Sequence, residues 1–294
     1  MRKIAVAGIA IVALAVASEI GARYAGVIDF PLYEANNRVG YLPLPNQSGS
    51  FMGKIDFYTN DLSMGVARVF ENTETDILLI GDNLVRGGNA YKQADKLGPQ
   101  LQFALDAYGA GTKVWPNSAG SWTIVNEANW LEDHPAVVSA AETMIFVLNS
   151  EDFGQPASWR NPFTHPRERP ISALAYFAKK YILPPQAPPI EADLTAPSKP
   201  AGEALAAALA ACSCRAEIWL HPMKSEMRIH PDQTALEINF AKIEDLLPEG
   251  ADVHRIREIP GWKQNLYRDQ IHPNSEGMKI FGSEIAKRLA LRTR

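Results

Sequence analysis

Cysteine is scarce in this chain, and clustered positive charge is missing. Only two cysteines occur in 294 residues, Cys212 and Cys214. A bridge across one intervening residue would close almost no loop and add little stability. Both are therefore expected to be structural thiols, buried or half-buried between an Ala-rich helix and an apolar run. Too few other ligands lie nearby for a metal site there. The formal net charge is only -4, and no stripe of Lys and Arg occurs, which argues against a nucleic-acid partner. No internal repeat occurs, so a solenoid is excluded. What remains is an ordinary globular composition, 46% hydrophobic and 21% charged, long enough for one large α/β domain.

The N-terminus departs from that average. Arg2 and Lys3 precede an apolar run over residues 4–17, a positive region followed by a hydrophobic one. Ala15-Val16-Ala17 resembles a signal-peptidase site. The run can also continue through Ile20 and Ala22, with Glu19 and Arg23 near the interface, and then approaches the ~20 apolar residues a span needs. A cleaved signal peptide and an uncleaved membrane anchor both fit. Either places the remainder outside the cytoplasm, periplasmic or extracellular, with the membrane as a partner through the N-terminus if it stays attached.

Three segments follow: residues 1–27 as signal or anchor, 28–74 as an extended arm or small β element, and 75–294 as the main domain. Within the last, short apolar runs at 76–80, 113–115, 143–148, 216–220 and 252–256 read as buried strands. Amphipathic stretches at 97–108, 123–131, 170–183, 202–212, 234–247 and 275–291 read as helices. A Pro-rich excursion covers 184–202. Strands alternating with helices imply a parallel sheet covered on both faces. Ligands of such sheets sit outside the carboxyl ends of the strands, so chemistry is expected in the turns that follow them.

Polar groups cluster in those turns. Gly81-Asp82-Asn83-Leu84 follows the first strand, Asn117-Ser118-Ala119-Gly120-Ser121 the second, and Asn149-Ser150-Glu151-Asp152 the third. Asp269-Gln270-Ile271-His272-Pro273-Asn274 precedes the last helix. A carboxylate three residues before a histidine can fix the imidazole tautomer and leave the other nitrogen as a base. The same spacing also arises in an incidental polar turn before a helix.

In order and spacing these blocks resemble the signature of the SGNH (GDSL-type) hydrolases: G-D-S-L, a glycine in the second turn, G-x-N-D, and D-x-x-H-P. The resemblance runs from about residue 75 to the C-terminus. The segment from Val39-Gly40-Tyr41 to Asn46, with Tyr58-Thr59-Asn60, also looks like the lead-in of exported bacterial members. It implies a three-layer αβα sandwich around a parallel five-stranded, flavodoxin-like sheet, esterase or acyl-transfer chemistry, and no cofactor or metal. It also implies Asp269 and His272 as orienting acid and base, with oxyanion-hole N–H groups from Gly120 and residue 83.

Two positions depart from the pattern. Asn83 stands at the serine nucleophile, and a carboxamide has no hydroxyl for His272 to deprotonate. Glu151 stands at the oxyanion-hole asparagine, where a carboxylate would repel developing negative charge. Asn149 is the alternative donor. The expectation is a domain of the cell envelope that lacks serine-esterase activity and binds, or assists in modifying, an acylated glycan. The rival is an active esterase using another nucleophile, such as a water activated by His272. Trp122 and Trp262 are candidates for stacking on substrate, Arg86 for shaping the cleft. Trp219 reads as core. His134, His165, His221, His230 and His254 read mostly as surface residues. Asp82, Glu151, Asp269 and His272 match no metal-ligand spacing.

Overall fold

A computed structural model describes residues 2–71, 76–88, 91–184 and 194–292. Thr75 and residues 185–193 of the 184–202 excursion lie outside the described residues. A helix, α1 (Arg2–Tyr24), leads into two antiparallel hairpins, β1 (Tyr33–Asn36) with β2 (Gly40–Pro43), and β3 (Gln47–Phe51) with β4 (Ile55–Thr59). Then come β5 (Asp76–Gly81), α2 (Asn83–Arg86), α3 (Leu97–Ala107), β6 (Val114–Ser118), α4 (Ile124–Asp133), α5 (Pro135–Ala140) and β7 (Ala141–Leu148). The chain closes with α6 (Ala173–Phe177), α7 (Ala201–Ala210), β8 (Arg215–Leu220), α8 (Ala235–Ala241), β9 (Asp252–Arg255) and α9 (Ser275–Arg292).

The strands β6-β5-β7-β8-β9 form one five-stranded sheet in that order, all parallel. The central runs of β5 and β7 are apolar on both sides, and successive residues feed opposite faces. Leu78, Ile80, Met144, Phe146 and Ile218 join the core that holds α4, α7 and α8. Ile77, Leu79, Ile145, Val147 and Trp219 join the core under α3 and α9. The result is a three-layer αβα sandwich. Each large side chain removed from water in these two layers contributes roughly 1.5–3 kcal/mol.

The strand order is that of a flavodoxin-like sheet, and its switch point lies between β5 and β7. Connections from these two neighbours leave in opposite directions, opening a crevice at their carboxyl ends.

Some expectations need correction. The helix over 170–183 is only α6 followed by a π turn, Ala178–Ile182. Its true start is Ser172, whose hydroxyl accepts from the Ala175 N–H, and residues 170–171 stay outside. The helix over 234–247 ends at Ala241 and continues as a 3-10 turn, Glu244–Leu246. Cys212 and Cys214 are bridged, because the turn between α7 and β8 brings their Cα atoms to 5.0 Å.

The segment 28–74 does not hang free. Its hairpin β1–β2 is tied across α4. The fully buried Asn126 donates to the carbonyls of Val39 and Ala157 and accepts from the N–H groups of Thr123 and Ala157. Asn129 donates to the Arg38 carbonyl, and Trp122 donates to that of Tyr41. Gly40 makes this approach feasible: its φ is 88°, and a Cβ there would sit 2.0 Å from the Ala157 carbonyl oxygen.

Gly40→Ala should therefore loosen the hairpin. Overpacking costs about 1–3 kcal/mol, and the left-handed backbone adds roughly 1–2 kcal/mol. Thermal unfolding should show a fall in Tm, and amides of residues 33–43 should exchange faster with solvent. An unchanged Tm would contradict this packing.

Candidate active site

The site grows from the end of β5. Gly81 closes the strand, and Asp82 turns back to cap α2: its Oδ1 accepts from the Leu84 N–H at 2.9 Å. That cap fixes Asn83 as the first residue of α2, at the mouth of the crevice. Asn83 Oδ1 lies 2.7 Å from where a Cβ on Gly120 would stand. The Asn83 side chain thus lies against the glycine of the β6–α4 turn. Tyr41 of the hairpin donates to the Gly120 carbonyl, so the arm closes one side of the site.

The β7 turn is joined to the same point. Asn149, fully buried, donates from Nδ2 to Asp82 Oδ2 at 3.1 Å and accepts on Oδ1 from the Glu151 N–H at 2.9 Å. Its oxygen and one of its two N–H donors are thus engaged, and the second N–H of Nδ2 has no bond to Asp82. Glu151 itself is exposed and lines a neighbouring cavity.

Asp269 and His272 form the pair that their spacing suggested. His272 Nδ1 lies 3.0 Å from both carboxylate oxygens of Asp269. Oδ1 also accepts from the N–H groups of Ile271 and His272. Partial burial raises the Asp269 pKa, but these N–H groups and the His272 charge outweigh it, so the group sits below the usual carboxylate range. Tyr91, packed beside Gly87 at the end of α2, donates to the Pro273 carbonyl and has its ring centroid 6.4 Å from that of His272, which brings the C-terminal loop to the end of α2. No hydrogen bond joins Asn83 to His272, because the amide turns onto Gly120 instead.

Two cavities flank Asp82-Asn83. One, of about 190 Å³, is lined by Asn83, Gly120, Arg86, Lys96, Tyr33 and Lys180 among others. The other, of about 330 Å³, is lined by Asp82, Glu151, Asp152, Ser121 and Arg160 among others. Thr164 and His165 border both. Behind the second stand three fully buried carboxyls, Asp82, Glu127 and Asp152. Burial pushes all three up; Asp82 raises the other two, and Glu127 raises Asp152 further. Neither oxygen of Glu127 has a hydrogen-bond partner among the described residues.

Other candidates fall elsewhere. Trp122 is fully buried with its indole N–H committed to Tyr41, so it presents no face for stacking. Trp262 packs in the α9 core against Phe281 and donates to the Tyr267 hydroxyl. Neither is the exposed platform expected of it, because loop position in sequence does not exclude burial under a neighbouring helix. The surface assignment also fails for His221 and His254, both buried, and for His165, half-buried in the site. Burial holds the His221 pKa down to about 3. Glu127, Lys96 and His165 went unnoticed as site residues. For Glu127 a signal existed, since it falls on the stripe of α4 carrying Ile124, Ala128 and Leu131.

No protein-family profile matches the chain, and no curated protein sequence matches it. Solved structures do. A carbohydrate acetylesterase from Sinorhizobium meliloti is 12% identical, with a TM-score of 0.41, covering 74% of this chain and 99% of that one. A member of the lipolytic G-D-S-L family from Veillonella parvula is 13% identical, with a TM-score of 0.44, covering 74% and 98%. A family two carbohydrate esterase from Clostridium thermocellum, in complex with cellohexaose, is 8% identical, with a TM-score of 0.42, covering 77% and 66%. Likeness at this level assigns no chemistry.

The buried carboxyls make a pH prediction. For a carboxyl raised in the folded state, stability is fully present below the ordinary glutamate range and is lost as pH rises toward the raised value. Glu127→Gln removes one such group. Its Tm advantage over the wild type should be larger at pH 8 than at pH 5 in scanning calorimetry. Equal differences at both pH values would show that Glu127 carries no raised pKa.

Proposed function

We propose that this chain is an SGNH-hydrolase-like protein of the cell envelope that binds, or assists in modifying, an acylated glycan without the serine-esterase route. The observation that carries this reading is Asn83 itself. It stands at the start of α2, against Gly120 and at the rim that holds the Asp269–His272 pair, with an amide where a nucleophilic hydroxyl is required. Removing the nucleophile of a triad costs roughly 10^6-fold in rate. The oxyanion side departs from the pattern as well, since Glu151 is a carboxylate and one of the two Asn149 N–H donors is committed to Asp82. A binding role keeps the crevice and drops the chemistry.

The envelope assignment rests on α1. Within residues 4–24 an 18-residue stretch has a mean hydropathy of 2.2, with none of that stretch buried. At its carboxyl end, Glu19 accepts from the N–H groups of Ala173 and Leu174 and from the Ser172 hydroxyl. A helix held to the domain by its own capping carboxylate suits a retained anchor. Ile171, whose carbonyl accepts from Arg23 of α1, is exposed and suits contact with the lipid surface.

One observation favours hydrolysis as a second reading. The Asp269–His272 pair is formed, with Nδ1 occupied and the imidazole partly exposed, the arrangement that lets the other nitrogen activate a water.

A short-chain aryl ester assay decides between them. The wild type should turn over no faster than buffer, and Asn83→Ser should acquire hydrolysis that is lost again in Asn83→Ser with His272→Ala. Wild-type turnover abolished by His272→Ala alone would overturn the binding reading in favour of the activated water. No activity in Asn83→Ser would show that the remaining residues do not form a catalytic site.

A further inference from the structure

We propose that the cavity beside Asn83 binds an oxyanion, a carboxylate or phosphate group of the ligand, held by Arg86 and Lys96. This rests on the reading that the Asn83 crevice is a ligand site, and it names the chemistry of that ligand.

Arg86 and Lys96 are only 6% and 7% exposed, and both line this cavity. Neither makes an ion pair with a carboxylate among the described residues. Arg86 Nη2 is buried with no hydrogen-bond partner. Removing one such cation from water is costly, and two of like sign side by side cost more, unless an opposite charge is supplied. The two residues act against each other: burial and then the Arg86 charge bring the Lys96 pKa down to about 7.

The rest of the wall agrees. Lys180 adds a third cation, and no Asp or Glu lines the cavity. His165, on the border, is held down to about 4 by burial, Arg86 and Arg160. The carboxylates of this region, Asp82, Glu151 and Asp152, line the other cavity instead. Positive potential without internal compensation is the counterpart of an anionic ligand. A guanidinium fork matches a carboxylate or phosphate by two parallel hydrogen bonds, with the ammonium adding a point charge. The Tyr33 ring, with the Arg86 guanidinium 6.0 Å from its centroid, supplies an apolar face beside the charge. The Asn83 amide and Gly120, on the same wall, would meet whatever adjoins the oxyanion.

The test is equilibrium binding to the full chain in detergent, by calorimetry, with inorganic phosphate, D-glucuronate and neutral D-glucose as probes. At least one anion should bind, with affinity falling as salt rises, and glucose should not. Arg86→Gln and Lys96→Met should each weaken the anion by about tenfold or more. The arm that binds tells whether phosphate or a sugar carboxylate is recognised. Lys96→Met also removes a buried charge, so its unliganded Tm should rise, which keeps the test valid should Arg86→Gln fold poorly. No binding of either anion, or binding unchanged in Lys96→Met, would overturn the proposal. Because the readout is binding, esterase gain in Asn83→Ser without anion binding would sink this inference alone. Anion binding without esterase gain would leave it standing while the hydrolase ancestry of the site fell.

Discussion

The architecture of the crevice depends on one buried carboxylate. Asp82 ends β5, caps α2 through the Leu84 N–H, and accepts from Asn149 across the switch point of the sheet. The first bond sets where residue 83 emerges. The second ties the β7 turn to the β5 turn, so neither loop moves independently. A carboxylate taken out of water needs such donors, and the His272 charge on the same rim adds to them. Burial and the charge of Asp82 raise Glu127 and Asp152, and Glu127 raises Asp152 further, so the cluster holds protons that isolated side chains would release.

This carboxylate also divides the crevice by sign. One cavity has Asp82, Asp152 and Glu151 on its wall; the other has Arg86, Lys96 and Lys180. Asn83 stands on the positive side, at the boundary. A serine hydrolase needs a hydroxyl, a base and an oxyanion hole that agree on one reacting carbon. Here Asp269 and His272 are paired, residue 83 is a neutral amide, and one N–H of the Asn149 amide holds Asp82. An amide donates and accepts but does not attack.

Strands and turns were legible because both are written locally. An unbroken run such as Ile77-Leu78-Leu79-Ile80 has no polar face to show water, so it becomes a buried strand, and Gly81-Asp82 can only end it. The pair Asp269–His272 was legible for the same reason, since three residues of loop bring the groups together. What failed depended on distant contacts. Trp122 and Trp262 sit in loops by sequence, yet the hairpin covers the first and α9 the second. The helix expected over 234–247 stops at Ala241 because the next turn tightens to a 3-10 form, which periodicity alone does not register. Lys96 carries no sign of burial in its neighbours; only the meeting of α2 and α3 encloses it. The same meeting supplies Arg86, and the two cations become informative only when seen together.

The arm and the anchor then acquire a shared role. Hairpin β1–β2 brings Tyr41 to the Gly120 carbonyl and Tyr33 to the cationic cavity. Helix α1 is joined through Glu19 to α6, and α6 places Tyr176 on the wall of that same cavity, with Lys180 from the turn that follows. The element that receives the apolar helix is thus also an element that shapes the pocket.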